Sequence, residues 1–380
     1  MRRLKTLSIC SICAVFVVLL VFAVSVFGQQ SGAQPGGDER RMLAETARYF
    51  AALSLEEESP LFAQTRVVTY PKFKEEMQKY WNAFRASTFE KIRKWQISEI
   101  NDLTRTTILY PFSGPDFLNV YAVYPDADTY IMIGLEKGGL IPKLEEMPEA
   151  SLRKGLDMMV EGFRIYIGFN FYRTLGMEVD LDKSPFTGTL PHVMTQLAWL
   201  GFSPLSISSV EFTSGGEMVT KPVSRGDFTQ SWQLECRSAA GKVMRIIYLS
   251  QDISNEGLQK APGAKRWLES LPPVSGLFKA ASYLPPRPAF TEITRICLSK
   301  MRAIVQDDSA IPYRMIKDRY NVTVYGWYTG PHSLFPSYGQ PDLNALYRNS
   351  TRRDIAFNFQ YDRQDGTRNL MVARLKQPGQ

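Results

Sequence analysis

The chain contains few histidines, and this shortage excludes several classes of active site. Only two occur among 380 residues, His192 and His332, so a zinc centre built on several imidazole ligands has almost no candidate ligands. The sequence also lacks the Gly-x-Ser-x-Gly element of α/β-hydrolases, a phosphate-binding loop and a dinucleotide-binding glycine fingerprint. We therefore predict no metal site and no cofactor.

Long runs of one charge sign are also missing. The formal net charge is +7, and acidic and basic residues are interleaved, as in residues 72–76. Arg2, Arg3 and Lys5 supply three of the positive charges, and removing them leaves +4. Because nucleic-acid binding needs a concentrated basic surface, we expect no nucleic-acid partner. An envelope component or a small ligand remains open as a partner.

The first 28 residues have the layout of a secretory signal peptide. A cationic start precedes an apolar run over residues 7–27, and Gly28 follows where a peptidase could cut. The run is also long enough to span a bilayer, so a membrane anchor formed by residues 7–27 is the alternative. Residues 29–40, rich in Gly, Gln and Pro, are expected to form a flexible tether. A cleaved signal peptide predicts that the rest of the protein is periplasmic or secreted. An uncleaved segment predicts that the protein is anchored in the membrane by residues 7–27.

Only two cysteines remain once the leader is set aside, because Cys10 and Cys13 lie within it. An oxidising compartment permits a disulfide between Cys236 and Cys297. Cys236 falls on the inward face of an alternating segment, and Cys297 on the apolar face of a predicted helix. These positions favour two separate buried thiols, and the disulfide remains the alternative.

Hydrophobic periodicity predicts helices and strands in alternating clusters. Apolar spacing of three to four residues predicts helices over 41–53, 71–101, 149–176, 191–200, 255–271, 275–283 and 289–306. β-type runs bounded by turn residues predict strands over 107–110, 117–124, 130–135, 206–213, 228–237, 242–250, 321–328, 355–361 and 369–375. The short turn after residue 237 predicts a hairpin and therefore antiparallel pairing.

These elements predict an α+β fold with a mixed, largely antiparallel sheet, or sheets, packed with several helices. No internal repeat and no proline-rich linker divides the chain after the tether. We therefore expect residues 41–380 to form one large domain.

The acidic pair Asp307-Asp308 is the most concentrated polar cluster at the end of a predicted element. Adjacent carboxylates raise one another's pKa when both are buried, and they can then act as acid and base. Asp116, in the turn formed by residues 113–116, is the third catalytic candidate. Turn formation alone also accounts for these residues, with the acidic pair closing a helix.

The candidate binding residues follow the acidic pair in the chain: Ser309, Tyr313 and Arg314. The catalytic hypothesis requires both aspartates to lie in a partly buried pocket beside Arg314 and the Asp116 turn.

Aromatic side chains are concentrated near the C terminus. They either line a carbohydrate or peptide groove or fill the core, and composition favours the core. The residues are Tyr320, Tyr325, Trp327, Tyr328, Phe335, Tyr338 and Tyr347.

Three segments carry a family resemblance: LYPFSGPDFL at 109–118, AASYL at 280–284 and QDDSAIPYR at 306–314. Together they resemble a family of uncharacterised exported bacterial proteins, over the chain from about residue 100 onward. Ala310 stands where we expect Gly in that family. The resemblance implies a bacterial origin and an envelope or secreted address, and it carries no activity, substrate or catalytic residue.

Three functional hypotheses follow. The first is an exported binding or envelope-associated module, favoured by the export signal and the missing catalytic motifs. The second is an envelope hydrolase with an acidic centre around Asp307 and Asp308. The third is a membrane-anchored assembly factor, which requires the leader to remain attached.

N-terminal sequencing of the native protein tests the leader. We expect material recovered from cells to begin near Gln29, because a signal peptidase removes segments of this layout. Recovery from the cytoplasm with residues 1–27 still attached would contradict export, and recovery from membranes with Met1 retained would favour the anchor.

Overall fold

Burial on both faces makes the first two strands the centre of a parallel sheet. β1 (Thr107–Tyr110) and β2 (Thr129–Gly134) consist largely of buried residues. In β1, Ile108 and Tyr110 belong to one core cluster and Leu109 to another. Strands covered on both sides read as continuous apolar runs and are typical of parallel sheets between helical layers. The two strands pair in parallel.

The computed structural model describes residues 36–103, 107–125, 127–170, 181, 183–359 and 368–377. These residues form one α+β domain around a mixed sheet of ten strands, which confirms the predicted fold class. The predicted leader, residues 1–28, and residues 29–35 of the predicted tether lie outside the described residues. Within the described ranges, no helix combines the length and the apolar character needed to cross a bilayer.

Eleven α-helices are described. They are α1 (Gly37–Phe50), α2 (Tyr70–Phe84), α3 (Glu90–Glu99), α4 (Phe117–Val123), α5 (Glu149–Phe169), α6 (Thr189–Trp199), α7 (Asn255–Lys260), α8 (Pro262–Ser270), α9 (Thr291–Lys300), α10 (Tyr313–Ile316) and α11 (Pro341–Asn349). Residues 37–40, which we expected in the tether, are therefore the first turn of α1.

Eight further strands complete the sheet. They are β3 (Phe202–Phe212), β4 (Met218–Pro222), β5 (Trp232–Ser238), β6 (Val243–Ser250), β7 (Val274–Phe278), β8 (Met301–Gln306), β9 (Tyr320–Gly326) and β10 (Asn369–Leu375). The strand order is β4-β3-β5-β6-β2-β1-β7-β8-β10-β9.

The order of the strands reverses at the middle of the sheet. From β1 the chain adds β2 and then β3 to β6 on one side, and it then returns to add β7 and β8 on the other side of β1. These five strands, β6-β2-β1-β7-β8, are mutually parallel. The outer strands are antiparallel and supply five of the nine described strand pairs. The reversal point between β1 and β7 is where open parallel sheets place ligand crevices.

Two apolar layers cover the sheet. Buried residues of α1 to α6 pack in one cluster with one face of the sheet. Buried residues of α7 to α10 pack in a second cluster that contains the alternate residues of β1 and β2. The alternation along each central strand therefore divides its side chains between two cores.

Four predicted elements are wrong, and three of them lie on or next to the strands that flank the reversal point. The predicted strand 117–124 is the helix α4, because Asp116 caps its start and the Gln196 amide oxygen accepts the N–H groups of Phe117 and Leu118 at 2.9 Å each. The predicted helix 275–283 is β7 followed by a loop. The last third of the predicted helix 289–306 is β8. Short runs buried all round have no period that separates helix from strand.

Most of the other predictions agree with the structure. β1, β2 and β10 lie within one residue of the predicted bounds, and β5 and β6 form the predicted antiparallel hairpin. The predicted helix 71–101 is α2 and α3 joined by a π-helical turn at Arg85–Phe89. The fourth wrong prediction is the strand 355–361, because residues 355–359 are irregular. Residues 360–361 lie outside the described residues.

The two remaining cysteines lie in different cores. Cys236 on β5 belongs to the first cluster and Cys297 on α9 to the second, and both are free thiols. The two buried thiols favoured by the sequence are thus confirmed. Burial raises the pKa of both thiols, which removes the thiolate needed for exchange.

Thiol titration with an aromatic disulfide reagent should therefore give a two-step result. We expect almost no reaction of the native protein and two reactive thiols per leader-free chain in denaturant. Fewer than two thiols after unfolding without reductant would contradict the structure.

Candidate functional site

Ionisable side chains converge at the carboxyl ends of four neighbouring parallel strands. Glu136 follows β2, Asp116 follows β1, Lys279 follows β7, and Asp307 and Asp308 follow β8; all five are buried. Charged residues are rarely buried unless they are paired. This cluster, at the reversal point of the sheet, is the candidate functional site.

Asp116 is the centre of a hydrogen-bond network. Its Oδ2 accepts the Tyr110 hydroxyl at 2.9 Å, and its Oδ1 accepts the Tyr166 hydroxyl at 2.7 Å. Oδ1 also accepts the backbone N–H and the side-chain amide of Asn119 at 3.3 and 3.0 Å, which caps α4. The carboxylate thereby connects β1, α4 and α5.

Lys279 forms an ion pair with Asp116 inside the protein. The Lys279 Nζ lies 3.9 Å from Asp116 Oδ2, and the two side chains are 0% and 2% exposed. The ammonium group also donates to the backbone carbonyl of Asn170 and lies 5.9 Å from the centre of the Phe359 ring. The pair joins the loops after β1 and β7 on the two sides of the reversal point.

Asp307 binds the loop that follows β7. Its Oδ2 accepts the Ala280 N–H at 2.9 Å, and its Oδ1 accepts the Ser309 N–H at 2.8 Å and hydroxyl at 2.5 Å. Burial raises the pKa of the Asp307 carboxyl above its ordinary value of 3.8, while these hydrogen bonds and the charge of Lys279 oppose the rise.

Asp308 holds two other elements together. Its Oδ2 accepts the Tyr283 hydroxyl at 2.6 Å, and its Oδ1 accepts the Asn369 amide at 2.9 Å, at the start of β10. The Tyr283 oxygen accepts the His332 N–H at 2.9 Å. Burial and the Asp308 charge both raise the pKa of Tyr283, so the phenol remains a donor to the carboxylate.

Glu136 lies after β2, at one end of the cluster. The Tyr248 hydroxyl lies 2.9 Å from its backbone oxygen and 3.2 Å from Oε2. A Cβ at Gly134 would stand 2.5 Å from Oε2 and 2.6 Å from the Tyr248 oxygen. The absence of a side chain at Gly134 therefore makes room for the carboxylate.

Strained backbone is concentrated at the same edge. Among the described residues, six other than glycine have a positive φ. Ala52 lies elsewhere, and the remaining five lie on the loops of the site or accept the Lys279 hydrogen bond: Phe112, Asn170, Ala280, Ser282 and Tyr283. The left-handed conformation costs roughly 1–2 kcal/mol for each of these residues except Asn170, because asparagine adopts it readily at helix ends, and strain of this kind clusters at binding and catalytic sites.

The predicted site residues fall into two groups. The structure brings Asp116, Asp307, Asp308 and Ser309 into the buried cluster, and the acidic pair ends a strand rather than the predicted helix. Arg314 is exposed on α10.

Tyr313 is the first residue of α10. Its N–H donates to the Gln340 amide oxygen at 2.9 Å, and its ring packs against the second core.

Lys279 and Tyr283 are functional candidates that the sequence reasoning missed. Both lay inside the predicted helix 275–283, where a lysine is an ordinary solvated residue. A lysine directly after a buried strand is the signal that would have identified Lys279.

His192 and most C-terminal aromatic residues are packed in the interior. His192 is buried 5.4 Å from the Phe163 ring, and burial lowers its pKa to about 4. Four of the aromatic residues are buried as the core interpretation predicts: Tyr320, Tyr325, Tyr328 and Tyr347. Phe335 and Tyr338 instead pack on Tyr283 at the site, with ring centres 5.1 and 5.2 Å away.

Across the described ranges, no three His, Cys, Asp or Glu side chains are arranged to hold a metal ion. Comparison of the chain with protein-family models, with curated proteins and with solved structures finds no match.

The raised pKa of Asp307 predicts a pH dependence of stability. A carboxyl that binds its proton more tightly when folded contributes stability below the unfolded pKa, near 3.8, and loses it as the pH rises through the folded pKa. We therefore expect the free energy of unfolding of the wild type to fall relative to Asp307→Asn between pH 4 and pH 7. Urea denaturation at both values measures this difference, and a change of opposite sign would show that the folded carboxyl is the stronger acid.

Proposed function

We propose that the protein is an exported bacterial binding module of the cell envelope, which holds a small polar ligand at the candidate functional site. Export and bacterial origin rest on the N-terminal segment and on the family resemblance. The binding role rests on one observation, the buried Asp116–Lys279 pair between the loops after β1 and β7.

Stability alone is a poor explanation for this ion pair. Desolvation of two charges costs about as much as their attraction returns, and apolar replacements of similar volume are often neutral or stabilising. The same loops also contain left-handed residues that cost free energy. Two unfavourable features at one edge of the sheet support a role in recognition.

The location gives independent support. Parallel sheets bind ligands outside the carboxyl ends of their strands, where the strand order reverses. Asp116 and Lys279 stand on the two sides of that reversal. The half-buried rings of Phe335 and Tyr338 supply apolar surface beside Tyr283, and pockets for small ligands combine such surface with a few polar groups.

An envelope hydrolase is the second candidate, favoured by the raised pKa of Asp307. A carboxyl with a raised pKa suits general acid catalysis near neutral pH. In this alternative Asp307 acts beside Lys279, and the exposed Arg314 does not take part.

The double variant Asp116→Asn/Lys279→Met tests the binding role. It removes both charges and keeps similar volumes, so we expect it to fold, whereas Lys279→Met alone leaves a buried carboxylate and costs about 3–5 kcal/mol. Native mass spectrometry of protein purified gently from its own cells should detect a small-molecule adduct on the wild type and none on the double variant. Ala52→Gly, at the left-handed residue outside the site, is the matched control and should retain the adduct.

Identical adducts on the wild type and the double variant would place the ligand elsewhere. Absence of an adduct, together with no thermal shift from millimolar monosaccharides, amino acids or phosphate, would contradict the binding role. Release of a product from cell-wall or lipid substrates that is lost in Asp307→Asn would favour the hydrolase.

A further inference from the structure

The loop after β8 holds the loop after β7 by consecutive contacts. Asp307 accepts the Ala280 N–H at 2.9 Å, and the Ser309 hydroxyl oxygen accepts the Ala281 N–H at 2.8 Å. The Ser309 hydroxyl in turn donates to Asp307 at 2.5 Å. Two successive amides of one loop are thus bound by two residues of the other.

The far end of the same loop is held as well. The Tyr283 hydroxyl donates to Asp308 at 2.6 Å. The Arg287 guanidinium donates to the carbonyls of Tyr283 at 3.2 Å and Ser282 at 3.4 Å. Side chains on either side therefore fix residues 280–283 from both ends.

The held conformation is one that these residues rarely adopt. Ala280, Ser282 and Tyr283 have φ values of 50°, 54° and 52°, in the left-handed region that favours glycine. Such a conformation persists only where the surroundings over-determine it. The contacts from the β8 loop provide that constraint.

Lys279 immediately precedes the held loop. Its backbone leads directly into Ala280, while its ammonium group reaches Asp116 and the Asn170 carbonyl. A relaxed loop would change the direction of the chain at Lys279 and move the amine away from both partners.

We infer that Asp307 and Ser309 are positioning residues, which hold the left-handed loop after β7 and thereby fix the Lys279 ammonium group beside Asp116. The inference rests on the proposed function in treating Lys279 as a ligand-binding group. Asp307 and Ser309 then act by positioning Lys279, and they do not contact the ligand themselves.

Amine reactivity measures this positioning without any ligand. Trace acetylation of the folded full chain with isotopic acetic anhydride, followed by mass spectrometry, gives the rate at Lys279 relative to exposed Lys260, whose side chain is 74% exposed. We expect Ser309→Ala and Asp307→Ala to raise this relative rate about five- to ten-fold, since each removes hydrogen bonds that keep the loop closed. Ser309→Thr, which retains the hydroxyl, should keep the wild-type rate.

Two further variants separate positioning from general stability. Val305→Ala weakens the core next to the loop without removing a hydrogen bond, and it should leave the relative rate at Lys279 unchanged. Ala280→Gly removes the strain at one of the three left-handed residues, so adding it to Ser309→Ala should restore part of the protection. Adding Ala52→Gly, the same change at a residue with a φ of 54° outside the site, should restore none.

Equal acceleration by Val305→Ala and Ser309→Ala would overturn the positioning role, as would unchanged rates in Ser309→Ala and Asp307→Ala. Because acetylation reports on the free protein, failure here is distinguishable from failure of the binding role, which is measured by the adduct.

Discussion

The contact between Lys279 and Asp116 joins two loops that the order of the strands brings together. Asp116 also fixes the start of α4, and Lys279 binds the carbonyl that ends α5. One ion pair therefore connects a helix start, a helix end and two strands. Both side chains are buried, so removing either charge leaves the other unpaired in a low-dielectric interior. The elements that the pair connects therefore depend on both charges being present.

The antiparallel flank of the sheet supports the parallel centre at this point. Asn369, at the start of β10, binds both the carboxylate and the backbone N–H of Asp308, and Asp308 binds Tyr283 on the β7 loop. The left-handed backbone of the β7 loop is therefore held by hydrogen bonds that continue, through Asp308 and Asn369, to β10. An arrangement of this kind ties the geometry of a small polar cluster to the integrity of the whole sheet.

The sequence predicted elements well where one face is wet or where turn residues mark the ends. β10 and the β5–β6 hairpin were predicted correctly for these reasons. Residues 117–124, 275–283 and 289–306 were predicted wrongly because burial on all sides removes the periodicity that separates a helix from a strand. The capping of α4 by Gln196 depends on a residue distant in sequence, which no local pattern reveals.

The same limit applied to the candidate site. Asp116, Asp307 and Asp308 were selected because polar residues at the ends of apolar runs are visible in a sequence. Lys279 was hidden by the wrong assignment of β7, and Arg314 was chosen for its nearness along the chain, although α10 presents it to solvent. Without the parallel sheet, the meeting of four strand ends could not be inferred.

The pairing of β1 with β7 also bears on how the protein is made. β1 ends at Tyr110 and its partner begins at Val274, so the middle of the sheet cannot close until most of the chain has left the ribosome. Contacts this distant form slowly. A chain that folds late remains able to pass unfolded through a translocation channel, so the long interval between these two strands is compatible with the export that we propose.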